Sequence, residues 1–305
     1  MRTAAPTMTL AAALTALTLG SAAQAAAPKP PPKTPPKTSD AQACLTRPTP
    51  PKGASLWLAS NPHLPLAETR DGNISRADDK EGCKRPARWG ATGRSYRVLD
   101  RWGKVLGTSK VVRRERYDVS GCEEILMSGA TESEEAQGDR LLVTSDGAWA
   151  PGPSFADRPT AAMHTAFRRF LSGLDERLVA DGASTTQPEG ERVAFFRIGK
   201  KDCQPRDDER GLVGAYAVAG GPYLVVARYD AQKGWKAVYL TTPPPAASDV
   251  YRENKIMTIV DMEGDGVPEV VFHTSEDTAF WDVVVGLDSA RIWAERAQSA
   301  AGATL

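Results

Sequence analysis

The chain has 305 residues, with 38 Lys+Arg against 38 Asp+Glu, 41% hydrophobic residues, 23 Pro, 4 Cys and 3 His. That length suits one large domain or two small ones, and the balanced charge argues against the one-sided excess of Lys/Arg on which nucleic-acid and membrane-surface binders rely. Ordinary apolar content excludes wholesale disorder, and three histidines outside any metalloprotease or triad pattern leave little material for the commonest hydrolytic chemistries.

The N-terminus predicts export. Arg2 supplies a positive start, Leu10–Leu19 an apolar run, and Ala23-Gln24-Ala25 the small-x-small site of signal peptidase, so residues 1–25 read as a signal peptide cleaved after Ala25 or, alternatively, Ala27. An uncleaved anchor is the competing possibility, because no charge stands between Thr3 and Ala27. No later stretch is apolar and long enough to cross a bilayer, so no membrane span is expected after cleavage, and the mature chain is placed in the periplasm or outside the cell. Residues 26–43 form a Pro/Lys-rich spacer: Pro28–Ser39 (PKPPPKTPPKTS) favours polyproline II, with Lys29, Lys33 and Lys37 keeping it solvated. An oxidising compartment turns Cys44, Cys83, Cys122 and Cys203, which contain no CxxC pair, into two expected disulfides. Three pairings are open; Cys44–Cys83 with Cys122–Cys203 is the one to test first.

The body reads as mainly β, antiparallel sheets or meanders with one amphipathic helix, a β-rich α+β chain. An N-terminal β-rich half over 44–180 ends in that helix, and a C-terminal β half spans 191–298. Strands are expected at Ser55–Ala59, Tyr96–Leu99, Gly103–Leu106 and Lys110–Val119, where β-branched and aromatic residues lie between turn residues. Gly138–Trp149 and Gly221–Trp235 each run from glycine through an apolar strand to a turn and a tryptophan, and read as two hairpins. Thr160–Ala180 is the helix: Met163, Phe167, Phe170, Leu171, Leu174 and Leu178 recur every three or four residues, and Asp181-Gly182 ends it. His164 on this helix has no chemistry-bearing neighbour in sequence. The tryptophans are spread along the chain and are expected in the core or on sheet faces.

One motif is chemically distinctive. Lys255–His273 reads KIMTIVDMEGDGVPEVVFH, an apolar strand, an acidic loop and another apolar strand. Hard cations want six to eight oxygens, and alternating acidic residues in a tight loop deliver them to one side. Asp261, Glu263 and Asp265 occupy positions 1, 3 and 5, the Val267 carbonyl position 7 and Glu269 position 9, while Gly264 and Gly266 let the turn close. Position 12, where an EF-hand needs a carboxylate, is Phe272. The sequence therefore predicts a strand-loop-strand calcium site.

Asp261–Glu269 followed by Val270-Val271-Phe272 resembles the calcium loop of FG-GAP/VCBS-type repeats, with a pattern close to DxDGDGxxDl, found in integrin-like β-propellers and exported bacterial proteins. The resemblance implies Ca2+ held by the side chains of Asp261, Glu263, Asp265 and Glu269, knitting neighbouring strands together. It covers about 20 residues in a single copy, short of a full propeller, and Glu263 replaces the family's usual Asp or Asn. A metal-free alternative is an acidic turn closed by its own backbone hydrogen bonds.

Two functions follow from these residues. The first is an exported binding or structural module with a calcium-stabilised loop, directed at a cell-envelope, carbohydrate or protein ligand. The second is a periplasmic or secreted hydrolase built on His273, with Glu276, Asp277 and Asp282 as carboxylate partners.

Overall fold

Strands covered on one face alternate apolar and polar residues, whereas strands covered on both read as continuous apolar runs. This chain uses both kinds. The computed structural model describes residues 44–45, 55–61, 64–70, 73–76, 91–100, 102–116, 123–129, 141–145, 155–183, 193–201, 203–245, 247, 250–299 and 302–303. The expected signal peptide (1–25), the expected spacer (26–43), Cys83 and Cys122 lie outside them.

The first seven strands are β1 (Ser55–Asn61), β2 (Leu64–Arg70), β3 (Asn73–Arg76), β4 (Ser95–Leu99), β5 (Val105–Arg116), β6 (Glu123–Gly129) and β7 (Leu141–Ser145). They form one antiparallel sheet in the order β3-β2-β1-β7-β4-β5-β6. The helix α1 (Ala161–Ala180) follows. Next come β8 (Val193–Ile198), β9 (Gly214–Ala219), β10 (Val225–Asp230) and β11 (Gly234–Leu240), a four-stranded sheet in the order β11-β10-β9-β8. The last sheet runs β12 (Arg252–Val260), β13 (Glu269–Glu276), β14 (Ala279–Leu287) and β15 (Trp293–Gln298), with the short β16 (Gly302–Ala303) also paired to β14.

Three expectations change. Gly103–Leu106 and Lys110–Val119 are not two strands, because the single β5 runs through Gly107-Thr108-Ser109, its first part paired to β4 and its later part to β6. The break falls earlier, at Asp100–Lys104, where the Trp102 and Lys104 amides both donate to Asp100 Oδ1 at 2.8 Å and Gly103 sits at φ 72°. Gly138–Trp149 is not a local hairpin either: its strand, β7, is inserted between β1 and β4. The third is the disulfide, which joins Cys44 to Cys203 across 159 residues in place of Cys44–Cys83 and Cys122–Cys203. Segment Cys44-Leu45 is tied to the buried Glu209, whose carboxylate accepts from both amides and from that of Arg206. A contact set by tertiary packing cannot be read from cysteine spacing.

The helix forms as its sequence predicts. Thr160 caps it, Oγ1 accepting from the Met163 amide at 3.2 Å, and Gly182 at φ 80° closes the far end. Its stripe of Phe167 and Leu174, with Met163, Phe170, Leu171 and Leu178 beside them, packs on Ala217, Ala219, Val225 and Ala227 of the four-stranded sheet. Each fully buried Phe or Leu contributes about 1.5–3 kcal/mol. The opposite face of that sheet, carrying Phe196, Tyr216, Val218 and Val226, meets Ile256, Ile259, Val270, Phe272, Val283 and Val285 of the last sheet. Met257, Val260, Val271 and Val284 on the last sheet's other side pack against Leu66, Ala67 and Leu99. The last sheet is thus covered on both faces, which is why IMTIV, VVF and VVV read as unbroken apolar runs. A register shift between Ile256 and Thr258 lets these neighbouring residues serve both layers.

Residues 40–305 make one compact unit. Trp102, Trp235, Trp281 and Trp293 all pack on its core clusters. Among the described residues no helix is long and apolar enough to cross a membrane.

Candidate functional site

The acidic loop joins the inner ends of two buried strands, β12 and β13, so its first and last carboxylates are drawn inside. Asp261 is 2% exposed and Glu269 1%. Asp261 is the hub: Oδ1 accepts from the amides of Gly264 at 2.6 Å and Asp265 at 3.2 Å, and Oδ2 from that of Gly266 at 2.9 Å. Gly264 at φ 73° and Gly266 at φ 83° lie in the left-handed region, which turns those amides inward. The Val267 amide donates to Asp265 Oδ1 at 2.8 Å, and the Met262 amide to Glu269 Oε2 at 2.6 Å. Gly286 on β14 leaves the room Glu269 needs, for a Cβ there would stand 2.9 Å from Glu269 Cγ.

Glu263 departs from the expected arrangement. Its carboxylate takes an ion pair from Arg296 Nη2 at 2.7 Å, with both side chains largely buried. Arg296, which also donates to the Leu287 carbonyl, lies on β15, 33 residues from Glu263, and no local sequence pattern marks it as a partner.

The four carboxylates feel one another. Burial, reinforced by repulsion from Asp261, Glu263 and Asp265, raises Glu269 well above the usual carboxylate range. Burial pushes Asp261 up to about 6; repulsion from Asp265 adds to this, and the three backbone amides oppose it. Burial also raises Glu263, against the pull of Arg296. A small cation placed among them relieves this repulsion. A carboxylate has about four lone-pair sites, so Asp261, with three amide donors, keeps capacity for one more partner, and Glu269 keeps more. The donor set suits a hard, oxygen-seeking ion in number and charge. The carboxylates do not converge on one point, however: among the described residues no group of three or more Asp, Glu, His or Cys side chains stands at metal-holding geometry.

The alternative residues are partly assembled. His273 Nδ1 lies 2.8 Å from Oδ1 of the buried Asp282, its cross-strand partner on β14. Glu276 turns instead to Arg252, whose Nη2 approaches to 2.6 Å, and Asp277 Oδ2 accepts from the Tyr251 amide at 3.4 Å. A cavity of about 400 Å3 opens on the face of the last sheet that carries Phe272, Thr274, Trp281 and Val283. Since β-strand side chains alternate, His273 and Asp282 project from the other face.

No family model matches this chain, and no curated protein or solved structure matches it.

Proposed function

We propose that the chain is an exported, β-rich binding or structural module whose β12–β13 loop is stabilised by calcium. The observation that carries this reading is the gathering of Asp261, Glu263, Asp265 and Glu269 around one glycine-closed turn, where burial, with repulsion added to it, raises Asp261, Glu263 and Glu269. The likeness of DMEGDGVPE to the FG-GAP/VCBS calcium loop supports it, as does the position of the loop, which ties β12 to β13 at the centre of the layers. An ion there acts on stability, and the ligand of the module is met elsewhere. Calcium titration of the oxidised protein by calorimetry, with thermal midpoints in calcium and in chelator, tests the proposal. Saturable binding and a higher midpoint in calcium, both lost in Asp265→Ala, are expected. Absence of binding at millimolar calcium refutes the ion and leaves an acidic turn closed by the backbone hydrogen bonds to Asp261, Asp265 and Glu269.

A second reading, a periplasmic or secreted hydrolase, is favoured by the His273–Asp282 pair, since a buried carboxylate on one imidazole nitrogen orients the other for proton transfer. Generic esterase, glycosidase and peptidase substrates, assayed with wild type and His273→Ala, decide it. Turnover that disappears with the imidazole establishes the hydrolase; no turnover on any of the three removes it.

A further inference from the structure

A second cavity, of about 540 Å3, lies against the open edge of the four-stranded sheet, and none of its lining residues belongs to the acidic loop. Its charge is unusual for a chain that is neutral overall: Arg228, Lys233, Lys236 and Arg291 face it, against Asp230, whose carboxylate attracts Arg228 and Lys233, and Asp208 beside it, whose Oδ2 lies 3.9 Å from Arg291 Nη2.

Strand register explains how the cations arrive there. Phe196 on β8 pairs with Tyr216 on β9, Tyr216 with Arg228 on β10, and Arg228 with Lys236 on β11. Directly paired residues share a face, so these four form one row on the side of the sheet that packs against β12–β15. Phe196 and Tyr216 are buried at its inner end, while Arg228 is half-buried and Lys236 exposed. Two cations set directly opposite each other disfavour a sheet. Among the described residues no carboxylate makes an ion pair with Arg228, Lys233 or Lys236. Arg228 is nevertheless fixed in place: Nη2 donates to the carbonyls of Arg210 at 3.0 Å and Val213 at 3.2 Å, while its buried Nε, packed near Gly214, has no acceptor.

A fourth cation comes from another sheet. Arg291, in the turn between β14 and β15, holds φ 60°, the only non-glycine residue with positive φ among those described. Asp288 enforces the turn, its Oδ1 accepting from the amides of Ala290 and Ile292 at 2.9 Å each. The next residues, Ile292 and Trp293, bring apolar surface to the same cavity, and Ile292 is 61% exposed. A like-charge pair on a packed face, an incompletely bonded guanidinium and a strained arginine at one concavity break local rules together, which is characteristic of sites kept for a ligand.

We propose that this cleft binds a small organic anion, its carboxylate or phosphate group held among Arg228, Lys236 and Arg291 and its apolar body lying against Ile292 and Trp293. Lys233, at the mouth of the β10–β11 hairpin, adds attraction at longer range. The site needs no calcium, so its failure and that of the ion proposal are separable.

Calorimetric titration with phenyl phosphate, benzoate and the uncharged benzyl alcohol tests the cleft, on wild type and on Lys233→Gln/Lys236→Gln. Both lysines are exposed and Lys236 opposes Arg228, so the double variant is expected to fold with a thermal midpoint no lower than that of wild type. At least one anion should bind saturably, more weakly as NaCl rises, and about tenfold or more weakly to the variant; benzyl alcohol should not bind. Failure of both anions to saturate wild type at concentrations on the order of 10 mM overturns the proposal. Equal affinity of variant and wild type, or equal binding of benzyl alcohol, also overturns it.

Discussion

Two groups of buried carboxylates respond to pH in opposite directions. In metal-free protein Asp261 is raised from 3.8 to about 6. From about pH 4 upward the unfolded chain gives up this proton first, so rising pH favours unfolding until the folded group also ionises; below that range both states are protonated and the loss disappears. The loss is of order 3 kcal/mol for Asp261, and Glu269 adds to it in the same sense. Glu209 behaves inversely. Burial alone raises it, but the amides of Arg206, Cys44 and Leu45 outweigh burial and hold its carboxyl below the ordinary 4.5. Its contribution is complete above pH 4.5 and is lost as pH falls through the lower folded value. Denaturant titrations in chelator across pH 3–7 are expected to show the stability of Glu209→Gln falling less than that of wild type on the acid side, and the wild-type loss above pH 4 diminished in Asp261→Asn. Identical profiles for Asp261→Asn and wild type place the Asp261 carboxylate in water.

Between elements, one contact sets how closely the four-stranded and last sheets approach. Asn254 on β12 donates both its amide, at 2.7 Å, and Nδ2, at 2.9 Å, to the Gly221 carbonyl, and accepts from Thr274 Oγ1 at 2.8 Å. Gly220 next to it has no room for a side chain, because a Cβ would lie 2.2 Å from the Asn254 carbonyl oxygen. That obstacle is backbone and cannot rotate away. Gly220→Ala is therefore expected to destabilise by about 1–3 kcal/mol, with a lower thermal midpoint and unchanged secondary structure by circular dichroism. An unchanged midpoint means the two sheets slide apart without loss. The helix presents a milder case: Thr160→Ala removes the cap and should lower stability by about 1 kcal/mol, read from the denaturant midpoint, with no effect on calcium or anion binding.

Across the whole molecule the Cys44–Cys203 bond closes a long loop, pinning the start of the compact unit beside β8 and Glu209. Peptide mapping under non-reducing conditions should recover Cys44 and Cys203 in one linked fragment. Cys203→Ser should lower stability by about 2–5 kcal/mol; a fragment linking Cys44 to Cys83 contradicts the packing described.

The short-range physics of this chain was legible without coordinates. Amphipathic spacing delimits α1 to within one residue, glycines and aspartates mark Asp181-Gly182 and the 261–269 turn, and the apolar runs on either side of that turn announce β12 and β13 as strands. Local hydrogen bonding and the side-chain period decide these features, and both are written in neighbouring residues. Partners far apart in sequence were decided only by folding: β7 between β1 and β4, Cys203 for Cys44, Arg296 for Glu263, and the meeting of Arg291 with Arg228 and Lys236. Each depends on which layers stack and in what register. Apolar packing selects among those arrangements on the summed burial of the whole core, a quantity no local pattern records.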